Sequence, residues 1–129
     1  MSVRNKIAII DDDSDLVTLF CDALTSSGFN AHGFDDPLTA IRYLIRHHKE
    51  YRLVITDWKM PEIGGREIIR LISQLDQNIL IMLISAYELD LDIFREIRKE
   101  DYISKPVHLA QFVDAVKNRL FSAYEICVG

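Results

Sequence analysis

Five residues that follow short β-branched runs of this sequence have side chains suited to phosphoryl transfer. They are Asp11, Asp12, Asp57, Ser85 and Lys105. Neighbouring carboxylates repel one another, so a cluster of them binds a cation or retains a proton. Carboxylate oxygens suit Mg²⁺, which typically takes one or two carboxylates together with phosphate oxygens. A lysine ammonium supplies a compact positive charge for phosphate, and a serine hydroxyl can hydrogen-bond a phosphoryl oxygen.

The reaction that would use all of these groups is transfer of a phosphoryl group to a carboxylate. Asp57 would attack as the nucleophile, while Mg²⁺ and Lys105 stabilise the charge of the transferring group. Each residue taken alone has an ordinary structural explanation, and we assign Asp13 and Asp15 to favourable interactions with a helix N-terminus. The functional interpretation depends on the joint occurrence of these groups at successive strand ends.

Short β-branched runs alternate with longer amphipathic stretches, which indicates five βα units. The predicted strands are 7–10, 29–34, 53–56, 79–84 and 102–104. The predicted helices begin after the N-cap Ser14, at Pro37 and after the loop 57–65, and then span about 88–98 and 108–121. Such units form an open doubly wound parallel sheet, whose ligand site lies at the carboxyl ends of the strands.

Length and composition predict one compact domain over residues 1–129, with 122–129 as a C-terminal tail or the start of a linker. The chain is 49% hydrophobic and has a net charge of −5, which excludes general disorder. Its longest apolar run, 79–84, is far shorter than the roughly 20 residues that span a bilayer. The N-terminus lacks a signal-peptide pattern, so we expect a cytoplasmic protein. The acidic balance predicts no direct nucleic-acid binding by this domain.

Two other motifs begin at the acidic run. Asp11-x-Asp13-x-Asp15 resembles the start of an EF-hand calcium loop, but Leu16 stands where that loop requires glycine, and Asp22 where it requires glutamate. That interpretation fails. A haloacid-dehalogenase-type phosphatase also begins with a strand followed by Asp-x-Asp, although threonine or valine is expected in place of Asp15. The phosphatase stays an alternative.

Over essentially its full length, the chain resembles the receiver domain of two-component response regulators. The matching segments are Ile9–Asp13, Leu53–Pro61 with Gly65, Leu83–Ala86 and Tyr102–Pro106. The resemblance implies an α/β fold of the flavodoxin-like type, a doubly wound (βα)5 three-layer sandwich with parallel strand order 2-1-3-4-5.

The resemblance also implies roles for the residues of the site. Asp57 is expected to accept the phosphoryl group, and Lys105 to bind it. Asp12 and Asp57 are expected to bind Mg²⁺ directly. Asp11 would act through a water molecule, and Lys59 would contribute its backbone carbonyl.

Three further residues gain expected roles from the same resemblance. Ser85 would move to a phosphoryl oxygen, and Tyr102 would turn inward behind it, so that the pair acts as a switch. Pro106 would follow Lys105 through a cis peptide bond, which costs little only before proline.

The sequence departs from the usual family pattern in the region before strand five. Fewer residues than usual separate Ser85 from Tyr102, and Arg98–Asp101 replace the usual small residues. We therefore predict that helix four is shortened or repositioned. Lys59 and Tyr87 occupy positions that, in the family, tune the lifetime of the aspartyl phosphate.

The predicted function is that of a phosphorylation-dependent receiver in a two-component or phosphorelay system. A histidine kinase or histidine phosphotransfer protein would supply the phosphoryl group, and a downstream effector protein or an output domain would read the result. Phosphorylation could also drive formation of a homodimer. Because such a domain catalyses only its own phosphorylation and dephosphorylation, we do not expect an enzyme. The alternatives are a pseudo-receiver interaction module that does not switch and an aspartate-nucleophile phosphatase.

Overall fold

The computed structural model of the protein describes the backbone of residues 4–86 and 93–128, and the side chains of these residues except 94 and 122–128. Its strands are β1 (Lys6–Ile10), β2 (Asn30–Phe34), β3 (Tyr51–Asp57), β4 (Leu80–Ser85) and β5 (Tyr102–Ser104). Its helices are α1 (Ser14–Ser26), α2 (Pro37–His47), α3 (Gly65–Leu75), α4 (Ile93–Glu96) and α5 (Leu109–Val128). Two short 3-10 helices, His48–Glu50 and Lys99–Asp101, lead into β3 and β5.

The five strands form one sheet in the order β2-β1-β3-β4-β5, and every pairing is parallel. This order confirms the predicted doubly wound α/β fold. The central strands β1, β3 and β4 are largely buried on both faces because helices cover both sides of a parallel sheet. In β1, for example, Ile7 and Ile9 belong to one buried cluster, and Ala8 and Ile10 belong to another.

The two clusters correspond to the two sides of the sheet. On the first side, Phe20 of α1 contacts Phe112 of α5, with ring centroids 4.4 Å apart. On the second side, Leu44 of α2 and Ile68 of α3 cover the strands. Burial of each such side chain contributes roughly 1.5–3 kcal/mol, so the clusters hold the strand ends in a stable position.

The N-termini of α1 and α2 are both capped by aspartate. Asp36 accepts a hydrogen bond from the backbone N–H of Leu38, and Pro37 occupies the first turn, as predicted. In α1 the predicted cap, Ser14, is wrong. Asp13 is the cap, because the chain is still extended there and its carboxylate accepts from the N–H groups of Asp15 and Leu16 at 3.1 and 3.3 Å.

The last two helices differ from the prediction. The described part of α4 is a single turn, and 97–98 are not helical; residues 87–92, with Tyr87 and the predicted helix start, lie outside the described residues. The predicted tail 122–129 is helical through Val128, because no proline or glycine interrupts the sequence from Leu109 to that point. Within the described residues, we find no helix that combines the length and apolar character of a membrane span.

Candidate functional site

The sheet register brings the predicted site residues together. Ile10 of β1 pairs with Thr56 of β3, so Asp11 follows β1 directly beside Asp57. Asp57 pairs with Ile84 of β4, one residue before Ser85. Parallel neighbours end at the same edge of a sheet, and this common edge explains how residues far apart in sequence form one site.

Lys105 joins the two buried carboxylates. Its Nζ donates a hydrogen bond to Asp11 Oδ2 at 2.8 Å and another to Asp57 Oδ2 at 3.3 Å. The peptide bond between Lys105 and Pro106 is cis, as the resemblance implied. The Lys105 backbone N–H also donates to the Ser85 carbonyl at 2.8 Å, which ties the residue to the end of β4.

The other oxygens of the two carboxylates accept backbone hydrogen bonds. Asp57 Oδ1 accepts from the N–H of Trp58 at 2.7 Å, and Asp11 Oδ1 accepts from the N–H of Asp13 at 3.0 Å. The backbone therefore orients both carboxylates, with their Oδ2 atoms directed at the Lys105 ammonium.

The charges of the site strongly influence one another. Burial raises the pKa of Asp57, and the Asp11 carboxylate raises it further, while Lys105 and the Trp58 N–H act in the opposite direction. Burial lowers the pKa of Lys105, but the Asp11 and Asp57 carboxylates outweigh it and leave that pKa raised. The site thus holds more negative charge than the lysine alone compensates.

The donor set fits a hard divalent cation. Asp11, Asp12 and Asp57 each offer a carboxylate oxygen, and these atoms lie within 4.8 Å of one another. Asp12 is exposed, so the cluster opens to solvent on that side. Carboxylate oxygens with room for water molecules are the ligands that Mg²⁺ prefers. Lys59 lies in the exposed loop two residues after Asp57, and the role of its carbonyl stays a prediction.

A close approach of two backbone segments shapes that loop. The N–H of Gly65 donates to the Trp58 carbonyl at 2.7 Å. A Cβ atom at Gly65 would lie 2.3 Å from the Asp57 carbonyl oxygen and 2.9 Å from the Trp58 Cα, distances that real Cβ atoms do not show. Only glycine therefore allows α3 to begin this close to the end of β3.

Ser85 and Tyr102 also lie at the strand ends. Ser85 is fully buried, and the Tyr102 hydroxyl donates to the Ser85 carbonyl at 3.3 Å. The Tyr102 ring packs, partly buried, on a cluster that contains Trp58 and Leu83. The structure therefore brings both predicted switch residues close to each other, while their movement stays a prediction.

Sequence reasoning did not identify Arg66. Its guanidinium carbon lies 5.2 Å from the centroid of the Trp58 ring, within the range of a cation–π interaction. No motif of the sequence indicates this contact, because it depends on where α3 begins relative to the end of β3.

Comparisons with known proteins agree with this geometry. The family model of the response regulator receiver domain matches residues 7–117. The response regulator receiver protein CpdR of Brucella abortus is 28% identical over 123 residues, which cover 92% of this chain and 98% of that protein. The polar-differentiation response regulator DivK of Brucella ovis is 26% identical over 125 residues, 94% of this chain and 100% of that protein.

A solved structure with the same fold contains BeF3 and Mg²⁺. It is the CheX–CheY–BeF3–Mg²⁺ complex from Borrelia burgdorferi, with 26% sequence identity and a TM-score of 0.79. The match covers 89% of this chain and 88% of that one. These similarities agree with the family match over 7–117, the strand order and the acidic site. The chain belongs to the response regulator receiver domain family of two-component signalling.

Proposed function

We propose that this receiver domain accepts a phosphoryl group on Asp57. The observation that carries the proposal is the position of Lys105, whose Nζ contacts Oδ2 of both Asp11 and Asp57. An ammonium placed against the candidate nucleophile can bind the incoming phosphoryl oxygens at the same point. The donors that we infer are a histidine kinase or a histidine phosphotransfer protein, whose phosphohistidine reaches the solvent-open side of the site.

In the transfer step, an Asp57 carboxylate oxygen attacks the phosphorus of the donor. A P–O bond forms, the P–N bond to the donor imidazole breaks, and the leaving nitrogen keeps the electron pair. Lys105 stabilises the charge on the phosphoryl oxygens, and the Trp58 N–H holds the other carboxylate oxygen in place. Hydrolysis of the acyl phosphate then returns the carboxylate, so the domain regenerates itself without turning over an external substrate.

The residues that would hold Mg²⁺ are Asp11, Asp12 and Asp57, with the Lys59 carbonyl as a further ligand. When bound, the ion supplies charge neutralisation for the carboxylates and the phosphoryl oxygens. Burial raises the pKa of Asp57 first and the Asp11 carboxylate raises it further, and this second cause is negative charge that a divalent cation would compensate.

The output of the domain is a change in partner binding. Ser85 and Tyr102 would rearrange around the new phosphoryl group, which changes the surface near β5. The partner would be an effector protein, an output domain or a second copy of the chain. We propose a cytoplasmic location, where phosphodonor proteins of this kind act.

The first test is intact-mass spectrometry after incubation with acetyl phosphate and Mg²⁺. We expect the wild type to gain the mass of one phosphoryl group and to lose that gain when Mg²⁺ is chelated. Asp57→Asn should show no gain. Asp15→Asn, which removes an exposed carboxylate in the first turn of α1, is the matched control and should behave as the wild type.

Two other outcomes would support the alternatives. If no donor, including purified kinases, phosphorylates the wild type, the domain is a pseudo-receiver that binds partners without switching. If the protein hydrolyses a generic phosphoester and requires Asp11 rather than Asp57, it is an aspartate-nucleophile phosphatase.

A further inference from the structure

The outer face of α2 carries positive charge on a chain that is acidic overall. Arg42, Ile45 and Arg46 are exposed and lie three or four positions apart, so their side chains share one face of the helix. Lys49, which is also exposed, follows in the 3-10 helix His48–Glu50. We call these four residues the α2 cationic face. The net charge of the chain is −5, so this face is opposite in sign to the whole.

The three cations of this face make no ion pair or hydrogen bond with a carboxylate of the described residues. The acidic residues at the two ends of this stretch have other partners. Asp36 caps α2 and accepts a hydrogen bond from Thr39 Oγ1 at 2.7 Å. Glu50 accepts from Lys6 Nζ at 2.5 Å and lies 2.8 Å from His47 Nδ1. Direct contacts therefore leave the positive charge of the face available to another molecule.

Stabilisation of the helix explains only part of this pattern. A cation in the last turn interacts favourably with the helix dipole, which accounts for Arg46. Arg42 lies one turn earlier, where that interaction is small. Ile45 is 48% exposed between the two arginines, while Ala40 and Leu44 on the other side of α2 pack on the sheet. Arginine is enriched at protein interfaces, and the exposed isoleucine adds apolar area to this one.

The surface around Ile45 has the shape of a shallow cleft. Its volume is about 580 Å³, and all of its lining residues, which span 39–47, belong to α2. A cleft formed by a single helix does not surround a small molecule on several sides, as ligand pockets do. It can accept the side chains of a second helix that lies along α2. The shape therefore favours a macromolecular partner.

We propose that the α2 cationic face binds an acidic helical segment of a partner protein, with an apolar side chain of that segment on Ile45. Carboxylates match the planar guanidinium groups of Arg42 and Arg46, which can bind them at two points each. A membrane fits less well, because interfacial helices insert several large apolar residues and this face offers one. Nucleic acid also fits less well, because the acidic chain as a whole repels its phosphates.

The proposed contact does not depend on phosphorylation of Asp57. Lys49 lies just before the start of β3, and Asp57 is the last residue of this seven-residue strand. A strand rises about 3.3 Å per residue, so the two ends are roughly 20 Å apart. Salt screens exposed charges over such a distance. We therefore expect the face to hold its partner in both states of the domain, as a constitutive docking site.

The experiment measures binding of a fluorescent helical peptide by anisotropy at about 0.15 M salt. The probe is about 15 residues long, and pairs of glutamates flank a leucine on one face. Arg42→Glu/Arg46→Glu should weaken binding at least about tenfold, because two attractive contacts become repulsive. The matched control, Lys99→Glu/Lys117→Glu, makes the same change in net charge at other exposed positions and should bind as the wild type. Ile45→Ala should weaken binding about two- to fivefold.

A reciprocal exchange of charge keeps the test valid if a variant folds poorly. A probe with lysines in place of the glutamates should bind Arg42→Glu/Arg46→Glu at least about tenfold more tightly than it binds the wild type or the matched control. Asp57→Asn should leave the affinity for the glutamate probe unchanged. Failure of phosphorylation at Asp57 and failure of this docking site are thus separate results.

Absence of binding between the wild type and the glutamate probe would overturn the proposal, and so would equal weakening in the two double variants. Binding of phosphatidylserine vesicles or of duplex DNA that Arg42→Glu/Arg46→Glu abolishes would assign the face to a membrane or to nucleic acid instead. Self-association of the wild type in sedimentation velocity, abolished by the same variant, would assign the face to a second copy of the chain.

Discussion

The Lys105 ammonium lies 2.8 Å from the Asp11 carboxylate, although the two residues are 94 positions apart in the sequence. The contact joins the ends of two strands that are not neighbours, since β3 and β4 lie between β1 and β5. The Lys105 side chain therefore extends along the sheet edge past Asp57. Its length allows one ammonium to contact the carboxylates of both Asp11 and Asp57.

Removal of the Lys105 charge should separate phosphoryl transfer from metal binding. In Lys105→Ala we expect phosphorylation by acetyl phosphate to slow by at least about tenfold, because the transferring phosphoryl group loses a positive partner. The Kd for Mg²⁺ should fall about two- to fivefold, because the ammonium no longer competes for the carboxylates. Intact-mass kinetics and Trp58 fluorescence titrations measure the two effects. Lys49→Ala, on the exposed surface, is the control, and equal rates in all three proteins would contradict the assigned role.

Neutralisation of Asp57 should stabilise the protein when no divalent cation is present. Burial and Asp11 raise the pKa of Asp57, so the folded state binds its proton more tightly than the unfolded state does. The stability that protonated Asp57 contributes is therefore lost as pH rises through the raised pKa, and above that pKa the ionised carboxylate lowers the free energy of unfolding.

Differential scanning calorimetry at pH 7 tests whether the Asp57 charge lowers the stability of the fold. With a chelator, Asp57→Asn should melt a few degrees above the wild type. With Mg²⁺ the wild type should gain more stability than the variant, because the ion binds a site that the variant has weakened. A variant that melts below the wild type in chelator would show that the Asp57 charge stabilises the fold.

Gly65→Ala should destabilise the fold and displace the end of β3, which carries Asp57. The added Cβ would lie 2.3 Å from the Asp57 carbonyl oxygen, and the obstructing atoms belong to the backbone. We expect a loss of about 1–3 kcal/mol in the free energy of unfolding, measured by urea denaturation. At Gly64 the nearest atom would lie at 3.0 Å, so Gly64→Ala should cost less. Equal effects of the two substitutions would contradict the close approach seen at Gly65.

Asp76 should stabilise the opposite end of the sheet through its charge. Burial raises the pKa of Asp76, but hydrogen bonds from Arg4, His48 and the N–H of Asn78 outweigh it and lower that pKa to about 2. Arg4 Nη1 lies 2.7 Å and His48 Nδ1 2.6 Å from the same carboxylate oxygen. The contribution is present above the ordinary pKa of 3.8 and is lost as pH falls through about 2.

Urea denaturation of Asp76→Asn over a range of pH checks this prediction. At pH 7 we expect the substitution to cost about 1–3 kcal/mol, because the partly buried Arg4 and His48 lose a charged acceptor. The difference from the wild type should shrink as pH falls below 4. The control is Asp22→Asn, on the exposed surface of α1, which should change the free energy of unfolding little at any pH. If the cost of Asp76→Asn stays constant down to pH 2, the stabilisation does not come from the Asp76 charge.

Local sequence patterns determined most of the secondary structure. Strands 7–10 and 102–104 are short apolar or β-branched runs. The Asp36–Pro37 pair marks the start of α2, because the preference of aspartate for the N-cap and of proline for the first turn does not depend on the rest of the chain. The same patterns do not distinguish Asp13 from Ser14 as the cap of α1, because both residue types cap helices. The direction in which the chain leaves β1 determines which of the two is the cap. The local patterns also could not place the end of α5, since nothing between Leu109 and Val128 stops a helix.

The sequence by itself also determined which groups can perform the chemistry, because side-chain type and position at a strand end are local properties. The tertiary structure alone decided how these groups meet. Strand register places Asp11 beside Asp57, and the reach of Lys105 joins them. The Arg70–Glu96 pair spans 26 residues and exists only because α3 and α4 pack together. Contacts of this kind depend on the relative placement of whole elements, which no local pattern encodes.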